Sequence, residues 1–265
     1  DPDGAAAVIN QWAADSTNQM IKKVIEAKDL INSKWLIGNA TYFTGNWAVP
    51  FNLVEGQQSE FLRINKSKVH VDYIKSKDYF AYAKDQDGEY LDIPFSRGDD
   101  REFVMRVALP TGDFEKSTKA YWSVSRWKKI GQLVDKNTLQ YGRVQLPKFK
   151  FSDSVRLEAK SPITVALGLT DPFDLEKADL SRMVKFPADH YAISLIKQDT
   201  AIEVDEKGVK AAAVTVITGK LEATCVKPIP QPKFNFKADR PFVFAIVEKK
   251  TGTIAFVGSV VDPTL

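Results

Sequence analysis

Glu203-Val-Asp-Glu-Lys-Gly-Val-Lys-Ala-Ala-Ala-Val-Thr215 decides the reading of this chain. Apolar and acidic residues alternate as far as Gly208, and small side chains take over beyond it. Alternation marks a half-buried strand. The second half holds nothing large enough to anchor a core, yet Ala, Val and Thr all fit a tight pleat and Gly208 supplies a hinge. A segment able to lie exposed as a loop or to enter a β-sheet has two homes, which is what a switch requires. An ordinary strand running into an Ala-rich helix start is the other reading of the same residues.

Placed in a sheet, Val209, Ala211, Ala213 and Thr215 share one face, all small or β-branched. Lys210, Ala212, Val214 and Val216 share the other, where Lys210 alone is awkward unless that face reaches solvent. No proline interrupts residues 207–227. Beyond them, Val226-Lys-Pro-Ile-Pro-Gln-Pro232 suits an edge or a connector, because proline donates no ladder hydrogen bond.

Upstream, Ile9, Trp12, Ala13, Ser16, Met20 and Val24 recur at helical spacing and predict an amphipathic helix from about Ala5 to Lys28. The nearly unbroken apolar run Trp35–Phe43 predicts a central strand covered on both faces. Further strands are expected at Lys68–Ile74, Glu89–Pro94, Glu102–Pro110, Leu139–Phe151, Tyr191–Glu206, Phe242–Glu248 and Thr253–Val261. Helical patterns occupy 114–137 and Pro162–Leu167, the latter stopped by Gly168, and Thr251-Gly252 makes a hairpin turn. The sum is a strand-dominated α+β protein.

The 265 residues are 44% apolar, enough for a substantial core, and carry a net charge of +3. So even a balance predicts neither a nucleic-acid binder nor an acidic partner. No apolar run approaches the roughly 20 residues of a membrane span, so no membrane partner is expected. One cysteine, Cys225, excludes an internal disulfide framework without fixing the compartment. Of two sequons, Asn39-Ala-Thr41 lies in an apolar strand and reads as fortuitous; Asn65-Lys-Ser67 matters only in a secreted protein.

Enzyme chemistry finds no foothold. His70 and His190 lack a nucleophile motif, and no Gly-x-Ser-x-Gly elbow, phosphate loop, dinucleotide glycine pattern or zinc-spaced Cys/His set occurs. Neither a metal nor a cofactor is expected. Glu203, Asp205 and Glu206 read as solvated or ion-paired strand edges rather than an acid/base pair.

Several ordered motifs carry a family resemblance. Glu206-Lys-Gly-Val-Lys-Ala-Ala-Ala-Val-Thr215 resembles the hinge of the serpins. Ala238-Asp-Arg-Pro-Phe-Val-Phe244 is similar to the strand after the serpin reactive loop, and Gly252-Thr-Ile-Ala-Phe-Val-Gly-Ser-Val-Val-Asp-Pro263 to the carboxyl-terminal signature. Ile9-Asn-Gln-Trp12 with Thr17, Gly38–Trp47, Leu146-Pro-Lys-Phe149 and Leu167–Phe173 with Ala178–Ser181 follow in family order. The likeness runs nearly end to end over residues 1–265, as one serpin-like domain. Similar proteins carry a further amino-terminal portion, so this chain reads as a fragment or a cut-down fold. A truncated sheet would leave an unpaired edge and behave poorly alone.

The resemblance implies an inhibitor, not an enzyme. A serine or cysteine protease cleaves an exposed loop, becomes acyl-linked to it, and is carried along as the loop inserts into the central sheet. That insertion is a standard example of strand addition and released strain. A non-inhibitory binding or storage protein and an inactive fragment are the alternatives. Family spacing from the hinge, Glu206, Gly208, Val209, Lys210, Ala211, Ala212, Ala213, Val214 and Thr215, sets the scissile bond at Glu222–Ala223. Lys220 and Lys227 are alternatives, and spacing back from Pro241 fits Lys227 better. Trp47, Lys148, Asn39 and Gln198 match positions that control sheet opening, and a Glu206–Lys148 ion pair is expected. Gln198 stands where similar proteins have histidine. The resemblance further implies a monomer when full length, and favours an extracellular setting.

Overall fold

The computed structural model describes residues 1–31, 33, 35–53, 58–97, 100–182, 191–209 and 230–264. The first half of the chain forms α1 (Pro2–Ser16), α2 (Ala27–Leu30), β1 (Leu36–Tyr42), β2 (Gly45–Asn46), β3 (Asn52–Leu53), β4 (Ser59–Leu62), β5 (Lys68–Val71), β6 (Tyr73–Lys84), β7 (Gly88–Pro94), β8 (Phe103–Pro110) and α3 (Phe114–Thr118). The second half forms α4 (Val124–Asp135), β9 (Gln140–Pro147), β10 (Phe149–Leu157), α5 (Pro162–Ala166), β11 (Leu195–Val204), β12 (Gly208–Val209), β13 (Phe234–Lys237), β14 (Phe242–Glu248) and β15 (Ile254–Val260). The fold is α+β. Contacts divide it into two compact units, 1–43 with 151–202 and 44–150 with 203–265.

In the first unit, β1 and β11 run parallel in unbroken register from Leu36 opposite Leu195 to Tyr42 opposite Ala201. Helix α1 packs Ala6 and Ala13 into a core with Ile21, Val24, Ile25 and Leu195. The helix ends at Ser16, not near Lys28 as the periodicity predicts. Tertiary hydrogen bonds override the spacing. Thr17 is fully buried; its hydroxyl donates to the Ala13 carbonyl (2.6 Å) and accepts from the Ile21 amide (3.0 Å). Asn18 and Gln19 then turn the chain at φ 49° and 62°. Asn10 clamps the returning segment by accepting from the Val24 and Ile25 amides and donating to the Ile25 carbonyl. Met20 and Val24 therefore meet the core from an irregular, bent segment rather than from a helix.

Strand β1 also departs from expectation. Ile37, Gly38 and Asn39 are exposed, so the strand is not covered on both faces. Among the described residues it pairs on one edge only.

The second unit is built on an eight-stranded sheet in the order β13-β9-β6-β7-β8-β14-β15, with β3 beside β6. Strand β14 is buried at every residue. Helix α4 lays Trp127, Ile130 and Val134 over Tyr90, Val104, Ala108 and Val243. Inside this core Arg106 donates twice to Asp92, both at 2.7 Å, and once to the Trp127 carbonyl. A desolvated charge pair is tolerable only with such complete satisfaction.

The helical pattern over 114–137 is broken into α3, a 3-10 turn at Lys119–Trp122, and α4. Ser123 makes the break, because its side chain caps the Arg126 amide and starts α4. Leu139–Phe151, expected as one strand, is two: β9 ends at Pro147, and the Lys148 amide turns aside to the Asp72 carbonyl at 2.8 Å.

Candidate functional site

The deciding stretch lies at the end of β11. Asp205-Glu-Lys-Gly208 is a tight turn: the Asp205 carboxylate accepts from the amides of Lys207 (2.8 Å) and Gly208 (3.0 Å), and its own amide donates to the Gly208 carbonyl (2.9 Å). Asp supplies this because its short side chain reaches backbone donors two and three residues on. The turn sends the chain back as β12, antiparallel to β11 with Val209 opposite Val204. On its other edge β12 is antiparallel to β2, with Gly208 opposite Asn46 and Val209 opposite Gly45. Gly208 and Val209 are thus a strand held between two others, and Val209 is fully buried.

Gly208 is required by crowding. A Cβ there would meet the Asn46 Cα at 2.7 Å and press harder on the Gly45 carbonyl oxygen. Both are backbone, so neither can rotate away.

Trp47 locks the turn from below. It is 2% exposed; its backbone amide donates to the Lys207 carbonyl and its indole to the Asp205 carbonyl, each at 2.9 Å. The ring stacks on Phe95 with centroids 4.8 Å apart and meets Phe51 edge-on at 5.6 Å. The Phe51 amide donates to the Glu206 carbonyl at 3.0 Å.

Glu206 and Lys148 come together, the ammonium 3.0 Å from the carboxylate, with side chains 27% and 33% exposed. A hydrogen bond from the backbone amide of Glu206 itself, then Lys148, hold this carboxyl below the usual carboxylate range against partial burial. Three residues earlier, within β11, Glu203 pairs with Lys150 at 3.2 Å. In the other unit Asn39 stands opposite Gln198 in the β1–β11 register. Asn39 accepts from the Thr41 hydroxyl.

Other sequence-level candidates fall elsewhere. Lys210, Ala211, Ala212, Ala213, Val214, Thr215, Lys220, Glu222, Ala223 and Lys227 lie outside the described residues, as do His190 and Cys225. His70 is exposed on β5. Asp205, expected as a solvated or ion-paired strand edge, instead holds the turn through the Lys207 and Gly208 amides, and Phe51 and Phe95 join the site beside Trp47. Asp-x-x-Gly was the available signal for the first; the two rings carry none.

Fold and site together define an α+β protein in which Gly208 and Val209 form a short strand between two others. A family model described as Serpin (serine protease inhibitor) matches residues 1–263, and the chain belongs to the serpin family. Serpin-Z7 of Hordeum vulgare is 33% identical over 264 residues, 98% of this chain and 64% of the relative. A serpin-like protein of Methanosarcina acetivorans is 30% identical over 267 residues, 99% of this chain and 58% of the relative. In fold the chain is similar to the crystal structure of Manduca sexta serpin-12, with a TM-score of 0.80 at 22% identity, covering 100% of this chain and 66% of that one. The chain thus spans about three-fifths of the length of these curated relatives.

Proposed function

We propose that this chain belongs to an inhibitor of a serine or cysteine protease, acting by cleavage of the segment beyond Val209 and its insertion into the sheet. The observation that carries the reading is β12, two residues of the hinge already paired on both edges. Extending the pairing of Val209 with Val204 sets the register of insertion. Ala201 through Leu195 would face Ala212-Ala-Val-Thr-Val-Ile-Thr218 in reverse order, every one small or β-branched. Thr215 would fall opposite Gln198, where Asn39 now stands.

Insertion along this register requires the seven β1–β11 pairs to part. One parallel ladder is exchanged for two antiparallel ones. Roughly seven additional hydrogen bonds at about 1 kcal/mol net give on the order of 7 kcal/mol, enough to make the step irreversible. Trp47, Lys148 and Glu206, with Asn39 and Gln198, are the proposed controls on that parting. Glu222–Ala223 is the proposed scissile bond, with Lys220 or Lys227 the alternative position of cleavage.

The test mixes the full-length protein with a panel of serine and cysteine proteases. The proposal predicts a complex that survives SDS, and mass spectrometry of the released peptide fixes the bond. Cleavage without any covalent complex would favour a non-inhibitory binding protein instead.

A further inference from the structure

Three adjacent strands of the large sheet present a face whose composition the proposed inhibition does not use. The registers Lys75–Gln145–Lys237 and Lys77–Arg143–Asn235 run across β6, β9 and β13. Tyr79 stands opposite Tyr141, whose carbonyl accepts from the Lys233 amide at 2.7 Å. Residues two apart share a face, so the eight strand side chains project together, with Lys233 at the bend that leads into β13, and all nine are exposed or half-buried. Their neighbours on the opposite face, Ile74, Phe80, Val144, Leu146, Phe234 and Phe236, are buried.

Five of the nine are cations and none is an acid. The whole chain is nearly balanced, with 37 basic and 34 acidic residues, so even mixing does not produce this. Among the described residues Lys75, Lys77, Arg143 and Lys233 have no carboxylate partner. Lys237 reaches Asp239 at the rim at 3.7 Å and lies over the Tyr73 ring. Two tyrosines sit beside the cations, Tyr79 being 53% exposed, with ring centroids 5.4 Å apart.

We infer that this face docks on an anionic lipid bilayer. The patch is an open sheet surface, about 10 Å across three strands and about 14 Å along them, which matches a plane rather than a threaded chain. Four of the five cations are lysines, compact point charges that suit a diffuse negative surface more than bidentate recognition of one group. Tyrosine, with an apolar ring and a polar tip, settles at headgroup level. Adsorption is a different matter from spanning, and the expectation of no membrane partner rested on the lack of a long apolar run.

Co-sedimentation of the full chain with vesicles tests this. The probes are phosphatidylcholine alone and phosphatidylcholine with about one-third phosphatidylserine. Binding is expected to the mixed vesicles only and to fall steeply as salt rises, because exposed charges are screened within about 10 Å at 0.1 M. Each surface lysine is worth about fivefold in partitioning, so Lys77→Glu with Arg143→Glu should abolish binding, and Lys77→Gln with Arg143→Gln should weaken it at least tenfold. The control, Lys128→Glu with Lys129→Glu on exposed α4, makes the same charge change away from the face and should stay within about twofold. Near-ultraviolet circular dichroism confirms that each variant is folded, and the glutamine pair serves if the glutamate pair is not. Equal loss in the control, equal binding to neutral vesicles, or retention by a sulfated polysaccharide or single-stranded DNA with no vesicle binding would overturn the inference.

Discussion

Replacing Gly208 by alanine adds one methyl group where the structure has no room. Its Cβ would lie 2.7 Å from the Asn46 Cα and 2.9 Å from the Gly45 carbonyl carbon. Both neighbours are backbone atoms of β2, so the strain is relieved only if β12 moves off β2. Full expulsion would give up the pairing of Gly208 with Asn46 and of Val209 with Gly45 and Val204. At about 1 kcal/mol net per bond that is roughly 3 kcal/mol. Exposing the buried Val209 adds about 2 kcal/mol. The total, about 5 kcal/mol, is an upper bound, and a partial shift would cost about half. At about 2–4 °C per kcal/mol for a chain of this size, Gly208→Ala should lower the melting temperature by about 5–20 °C. Calorimetry measures it, and limited proteolysis beyond Val209 should quicken in parallel. A melting temperature within about 2 °C of wild type, with unchanged proteolysis, would refute the claim that β12 is a packed strand.

Three further outcomes follow from the same geometry. The Glu206 carboxyl is held below its ordinary value, so the stability it contributes is present above the usual glutamate range and lost as pH falls through its folded value. Thermal melts of wild type and Glu206→Gln should therefore differ at neutral pH, by under about 1 kcal/mol for so accessible a pair, and converge on acidification; a gap that widens in acid would contradict this. Arg106→Met strands Asp92 in the core and should destabilise by about 3–5 kcal/mol in denaturant melts, whereas Arg106→Met with Asp92→Leu should recover much of it. Asn10→Ala removes the three hydrogen bonds that hold the segment after α1, and hydrogen exchange at Val24 and Ile25 should rise at least tenfold.

Much of the fold was legible because burial and local pattern agree. Phe242–Glu248 was read to the residue, since seven buried positions in a row leave no ambiguity of face, and Gly252 at φ 72° closes the hairpin as Thr251-Gly252 predicts. Legibility failed where distant groups decide. Nothing in the spacing of Met20 and Val24 reveals that Thr17 and Asn10 capture the backbone and end α1 early. Apolar content alone likewise could not show that Ile37 would be left 39% exposed in β1. At the site, the Glu206–Lys148 pair joins residues 58 apart. Periodicity carries no information on such a contact, and the family resemblance supplied it. Asp-x-x-Gly marks the Asp205 turn, but the alternation of apolar and acidic residues from Glu203 reads equally as continuing strand.

Insertion of the hinge-proximal segment is tested most directly by heat. Two samples of the full-length protein are melted side by side, one intact and one nicked by protease beyond Val209. An arm that slides between β1 and β11 adds a complete strand, so the nicked form should melt well above the intact one, by more than about 10 °C given roughly 7 kcal/mol of added pairing. Identical melting of the two forms would contradict the account.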